Sequence, residues 1–372
     1  HQRVFFRPWR DCLAISGSFP STQVLGYFLA VPDGTPNLFR WSHQITARGV
    51  RWKENSSMAT ATDLVIGVDG GGTKTVAWLA PLQDDGTGIV LGRGRAGPGN
   101  PRAAGFEVAQ ASIEAAIDAA FADANLPRDR VAATCLCLSG AGRPAEQIRL
   151  SQWADARGVA QLTQVTGDAE PILAAASPEN WGIALISGTG SLAWGRNRIG
   201  EVARNGGWGY LLGDQGSAYA IALAGLRHAV LAADDRGPAT ELLPAFQRQL
   251  DAATPADLID RIYSAEMTRE RLASLAVVVF DTAPHDTTAE FLIESAARQL
   301  YFLVDALARR LKLPTGDYPL AVSGSVLLNQ EPLRAHLAAM LHDVESTPRE
   351  IIVVEQPARG AVTLARIAAS TK

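Results

Sequence analysis

One short design occurs four times in this chain and restricts the fold more than any other feature. An aliphatic or β-branched run ends abruptly in a turn of small residues. LVIGV (64–68) runs into Asp69-Gly70-Gly71-Gly72-Thr73-Lys74-Thr75, and CLCLS (135–139) into Gly140-Ala141-Gly142. GIALIS (182–187) runs into Gly188-Thr189-Gly190-Ser191, and PLAVS (319–323) into Gly324-Ser325. Runs without polar alternation mark strands covered on both faces of a sheet. Glycine-rich turns bring backbone N–H groups close to a ligand, because glycine has no Cβ and tolerates positive φ.

Helical periodicity separates these strands. Phe106, Ala109, Ile113, Ala116, Ile117 and Ala120 recur at three- and four-residue steps. Further helices are predicted at about 145–157, 169–177, 215–232, 239–251, 255–263, 268–281, 287–311, 331–341 and 358–369. TVAWLAP, GIVLGRGRAG (88–97), LTQVT and EIIVVEQ read as additional strands. Alternating strands and helices over 372 residues predict an α/β protein with two domains.

The first turn narrows the chemistry. DGGGTKT has neither the GxxxxGK[ST] spacing nor GxGxxG. An acid followed by glycines and Thr-Lys suits another phosphate cradle, in which Asp69 holds a hydrated metal ion. The N–H groups and hydroxyl of Gly71, Gly72 and Thr73, with Lys74, would receive phosphate oxygens. Asp168 stands between LTQVT and Ala169-Glu170-Pro171, where it suits a helix N-cap or a base facing a bound ligand. Asp214 has the same two readings ahead of the helix expected near Gln215. Asn100-Pro101 is a turn signal.

Composition excludes several classes. Charged residues are 19% and net charge is −4, so no basic face offers itself to nucleic acid. The longest apolar runs, such as LAVVVF (275–280), are too short to span a membrane. Cys135 and Cys137 sit two apart in an apolar strand and read as small core residues, which suits a reducing, cytoplasmic compartment. The six histidines show no ligand spacing. Residues 1–57 stand apart, with seven Lys/Arg against three Asp/Glu and no sustained periodicity. They read as an extension ahead of a natural start at Met58.

Taken in order, VIGVDGGGTKT, GPGN (97–100), LSGAG, TGDAE, LISGTGS, GGWGYLLGDQGSAY and AVSGSVLLNQEPLR resemble the BadF/BadG-type ATPases and the N-acetylglucosamine kinases of the actin/hexokinase/Hsp70 superfamily. The resemblance covers roughly residues 63–368. It implies two ribonuclease-H-like domains, one of residues 58–178 with 358–372 and one of 179–357, with nucleotide and sugar in the cleft between them. It implies ATP and Mg²⁺ as cofactors and a small sugar as partner, and leaves a homodimer open. Asp168 would be the general base and Asp69 would organise the metal. Gly188 and Thr189 would form a second phosphate turn, and Gly324-Ser325 the wall beside adenosine. Asn100, Gly188, Trp208 and Asp214 would contact the sugar. The rival within the family is a non-kinase ATPase that activates an acyl-CoA dehydratase or reductase.

Overall fold

The computed structural model describes residues 63–84, 88–342 and 344–371. The reading of residues 1–57 and of a start at Met58 lies outside the described residues.

The first sheet has the order β3-β2-β1-β4-β5. Its strands are β1 (Leu64–Gly70), β2 (Thr75–Pro81), β3 (Gly92–Ala96), β4 (Val131–Leu138) and β5 (Ala160–Thr166). β1, β2 and β3 form an antiparallel meander, whereas β4 and β5 join parallel to β1. The apolar runs of β1 and β4 are buried over nearly their whole length, as continuous hydrophobic strands require. Helix α1 (Phe106–Asp123) covers one face, burying Ala109, Ile113, Ala116, Ile117 and Ala120. A Cβ at Gly94 would stand 1.8 Å from Ala116 O, so β3 and α1 approach more closely than any larger residue allows. Helix α2 (Pro144–Ala156) leads from β4 to β5.

The second sheet repeats the plan, with the order β10-β9-β6-β7-β8. Its strands are β6 (Gly182–Ser187), β7 (Ser191–Arg196), β8 (Val202–Gly206), β9 (Pro319–Ser323) and β10 (Glu350–Val353). Again the first three form a meander and the last two join parallel. Where the first half places one helix between its third and fourth strands, the second places six. These are α4 (Ala218–Ala233), α5 (Leu242–Leu250), α6 (Asp257–Ile262), α7 (Arg269–Ser274), α8 (Ala276–Thr282) and α9 (Thr287–Arg310). The single helix expected over 268–281 is broken at Leu275 into α7 and α8. After β9 come α10 (Ser325–Asn329) and α11 (Glu331–Met340).

Two helices join the halves. α3 (Glu170–Ala176) follows β5 but packs on β6, β7 and β9 of the second sheet. α12 (Pro357–Ser370) follows β10 but packs on β1, β2 and β4 of the first. The pair cross each other, and a Cβ at Gly360 would stand 1.7 Å from Pro171 O. Cys135 and Cys137 lie fully buried under α12, with their sulfurs 3.4 Å apart on one face.

Candidate active site

The four small-residue turns sit at the carboxyl ends of β1, β4, β6 and β9, and Asp168 at the carboxyl end of β5. Ligands of α/β sheets bind at such ends. Each half therefore gathers its candidate residues at one edge.

In the first half the β1–β2 turn is a hydrogen-bonded loop. Gly71 N–H donates to Lys74 O at 2.8 Å, while Gly71 O receives the N–H groups of Gly99 and Asn100 at 2.9 and 3.1 Å. Ser139 N–H donates to Gly70 O at 2.8 Å, which draws the β4 turn to the same place. A Cβ at Gly99 would stand 2.5 Å from Thr75 Oγ1, so GPGN packs directly on the cradle. Gly72, Thr73 and Lys74 are exposed, and Asp69 is half-buried.

Asp168 does not cap α3. The cap position is Ala169, without a side-chain hydrogen bond. Instead the Asp168 carboxylate accepts from the Ser139 hydroxyl and from its own backbone N–H. Burial raises its pKa above the usual carboxylate value, and these two bonds partly offset the rise. Asp69 is pushed up to about 7, first by burial and then by the negative charge of Asp168, with Lys74 pulling it down. Asn100 serves as the expected turn former, with Oδ1 accepting from Arg102 N–H at 2.9 Å and Ala103 N–H at 3.2 Å. Its Nδ2 points at Ser139 Oγ, 3.5 Å away. Asn100, Ser139 and Asp168 thus form one polar row.

In the second half, Gly188 and Gly324 face each other: a Cβ at Gly324 would stand 2.4 Å from Ser187 O, and one at Gly188 would stand 3.5 Å from Ser325 N. Ser187 Oγ donates to Gly216 O at 2.8 Å and Ser191 Oγ to Gln215 O at 2.7 Å. The SGTGS turn is thereby fastened to the segment that carries Asp214.

Asp214 is not a helix cap either. α4 begins at Ala218, three residues later than expected, and Ser217 caps it by accepting from Ala220 N–H. Asp214 adopts φ 59° and is 4% exposed. Its carboxylate accepts from Ser191 N–H at 3.4 Å and from Arg269 Nη2 at 2.9 Å. Burial raises its pKa, while those two partners lower it. Trp208 is 67% exposed, with the Arg204 guanidinium 5.6 Å from its ring. Leu211 and Leu212 beside it are 81% and 79% exposed.

Ser139 and Arg269 did not emerge from the sequence as site residues. Ser139 lay in view within LSGAG. Arg269 had no local signal, because its partner Asp214 is 55 residues away.

Two ribonuclease-H-like halves with loops of this kind at their strand ends define an actin-like ATPase fold. The profile of the BadF/BadG/BcrA/BcrD ATPase family matches residues 66–365, and the chain belongs to that family. The N-acetylmuramic acid/N-acetylglucosamine kinase of Clostridium acetobutylicum is 30% identical over 303 residues, 81% of this chain and 98% of that protein. The N-acetyl-D-glucosamine kinase of Dictyostelium discoideum is 28% identical over 315 residues, 82% of this chain and 98% of the relative. A crystal structure from Chromobacterium violaceum, described as a candidate N-acetylglucosamine kinase, superposes with a TM-score of 0.66 at 24% identity. It covers 82% of this chain and 100% of its own. The chain is accordingly an N-acetylglucosamine-kinase-like phosphotransferase that uses ATP. No helix among the described residues is long and apolar enough to cross a membrane.

Proposed function

We propose that the chain transfers the γ-phosphoryl group of ATP to the 6-hydroxyl of N-acetylglucosamine, with Asp168 as the general base. The observation that carries this reading is the Asp168 carboxylate itself. It stands beside the Asp69 cradle, is released from any capping duty, and has a pKa raised above the usual carboxylate value by burial. A base in that state accepts a proton from a hydroxyl more readily than a solvated carboxylate does, and such a base supplies about 10²–10⁴-fold in rate.

Asp69 fits a divalent cation. Burial raises its pKa most, to about 7, and the nearby Asp168 charge adds to the rise, so a cation between these hard oxygen donors would relieve both the desolvation and the repulsion. Asp69, through water, would hold Mg²⁺, which when bound neutralises charge on the phosphate oxygens. The Gly72 and Thr73 N–H groups, the Thr73 hydroxyl and Lys74 receive phosphate oxygens, whereas the Gly71 N–H, expected to join them, is already given to Lys74 O and shapes the loop instead. Gly188 and Thr189 line the opposite side, and Gly324-Ser325 stands beside adenosine. Asp214 accepts hydrogen bonds from sugar hydroxyls, Asn100 and the Gly188 backbone add to them, and Trp208 covers the apolar sugar face.

The joint between halves runs through the crossing of α3 and α12 and the stretch from Ser177 to Trp181. Closure there excludes water and brings the hydroxyl into line with the γ-phosphorus. A cytoplasmic site of action fits ATP as donor. The test is ADP release with N-acetylglucosamine, N-acetylmuramic acid, glucosamine and glucose. Stimulation strongest with N-acetylglucosamine is expected. No stimulation by any of the four, with iron bound after anaerobic purification, would transfer the reading to the activator ATPases.

A further inference from the structure

Arg269 is the first residue of α7, a place fixed by Thr268, whose Oγ1 accepts from Arg271 N–H at 3.2 Å. A cation gains nothing from the first turn of a helix, where the backbone dipole presents its positive end. Its position therefore needs another cause, and its contacts supply one. Nη2 donates to Asp214 Oδ2 at 2.9 Å, and the guanidinium lies 5.2 Å from the Tyr210 ring. A Cβ placed on Gly190 would stand 2.9 Å from Asp214 Oδ2 and 3.1 Å from Arg269 Nη2. The ion pair is thus packed closely onto the backbone of the SGTGS turn at Gly190. The Arg269 side chain is 36% exposed while the Asp214 side chain is 4% exposed, so the arginine reaches the carboxylate from the solvent side.

We infer that Arg269 is a positioning residue for sugar phosphorylation: it fixes the Asp214 carboxylate in the single orientation that presents acceptor sites to a pair of neighbouring sugar hydroxyls. This rests on the reading of Asp214 as a sugar contact. A carboxylate offers about four lone-pair directions. Ser191 N–H takes one on Oδ1 and Arg269 takes one on Oδ2. One direction on each oxygen is left, which matches two adjacent hydroxyls better than a single one. Without the guanidinium the buried carboxyl group would lose its ionic partner and its fixed rotamer. It would then offer a proton where an acceptor is needed. The Tyr210 contact ties the loop that carries Trp208 to the same anchor, so the two expected sugar contacts share one support.

The experiment compares wild type, Arg269→Lys, Arg269→Gln, Asp214→Asn and the Arg269→Gln/Asp214→Asn double variant in steady state with N-acetylglucosamine and ATP. Arg269→Gln is expected to raise the sugar KM about tenfold or more, with the ATP KM within about twofold, as loss of a charge-assisted bond implies. Arg269→Lys keeps the charge without the fork and should fall between, and it serves if the glutamine variant does not fold. In the double variant the arginine change should add nothing to the Asp214→Asn effect. An Arg269→Ala variant joins the set for chemical rescue, and guanidinium ion should restore its sugar KM while leaving its ATP KM unmoved. A raised sugar KM in Asp214→Asn beside unchanged values in both Arg269 variants would overturn the inference and leave the sugar contact standing. An unchanged sugar KM in Asp214→Asn would overturn the reading beneath it. Parallel rises for ATP and sugar without guanidinium rescue would reduce Arg269 to a packing residue.

Discussion

The two halves share one strand order and differ at the turn after their first strand. In the first half that turn carries charge. Asp69 is half-buried and pushed up to about 7, Asp168 stands close by, and Gly72, Thr73 and Lys74 are open to solvent. In the second half the equivalent turn, Ser187 to Ser191, carries no charge of its own and is pinned by Ser187, Ser191 and the Gly188–Gly324 contact. Its one acid, Asp214, arrives from a distant loop and comes already paired with Arg269. The contrast separates two tasks. An unpaired acid suits a metal ion and a moving proton, whereas a paired and fastened acid suits recognition of a substrate that must be held still. Insertions follow the same division, since the six helices between β8 and β9 bring Arg269 to the second half.

The largest expected effect falls on the charged side. Asp168→Asn should lower kcat about 10²–10⁴-fold while sugar binding, read by calorimetry, changes little. Retention of more than about a tenth of wild-type kcat would sink the base assignment and with it the division of tasks.

Next comes the joint. Gly360→Ala puts a methyl group onto Pro171 O where α3 and α12 cross, and overpacking of that severity costs about 3 kcal/mol. A lower melting temperature is expected. In small-angle scattering wild type is expected to shrink on adding sugar, and the variant should lose that decrease. A wild-type radius unchanged by saturating sugar would count against closure.

Asp69 sharpens the comparison through pH. Its folded pKa is raised, so the folded state binds more protons than the unfolded one between about 4 and 7. Stability from this group is present below the unfolded pKa and lost as pH rises through about 7. Asp69→Asn should therefore melt higher than wild type at pH 8 and not at pH 4. Mg²⁺ should raise the wild-type melting point at pH 8 and leave the variant unmoved. Activity should fall as pH drops below about 7, and higher Mg²⁺ should shift that limb to lower pH. Equal Mg²⁺ responses in both proteins would remove Asp69 from the metal site.

The smallest effect belongs to Cys137. It is fully buried beneath α12, so Cys137→Ala should cost about 1 kcal/mol from lost packing and leave activity unchanged. A large loss of activity would reopen a functional role for the Cys135–Cys137 strand.

The four buried strands and their turns were legible in the sequence because continuous aliphatic runs stopped by glycine leave few alternatives. The meander partners β7 and β8 were not, since SLAWGR and VARNG alternate weakly and include arginine and glycine. Asp168 and Asp214 both read as possible caps, yet Ala169 and Ser217 occupy those positions. Local sequence shows an acid near a helix start; which atom accepts the N–H depends on backbone angles such as the φ of 59° at Asp214. Ser139 was visible as a motif member without a task, since its bond to Asp168 joins two strands. Arg269 was invisible for the same reason over a longer span. Pairings that close between distant elements leave no periodicity behind.

Phosphorus NMR of a reaction containing the chain, ATP, Mg²⁺ and N-acetylglucosamine tests the kinase reading most directly. A sugar phosphomonoester with phosphorus coupled to the protons on carbon 6 is expected, formed in equal amount with ADP, with little inorganic phosphate. ADP appearing with inorganic phosphate at the same rate whether or not sugar is present, and the sugar recovered unchanged, would contradict the account.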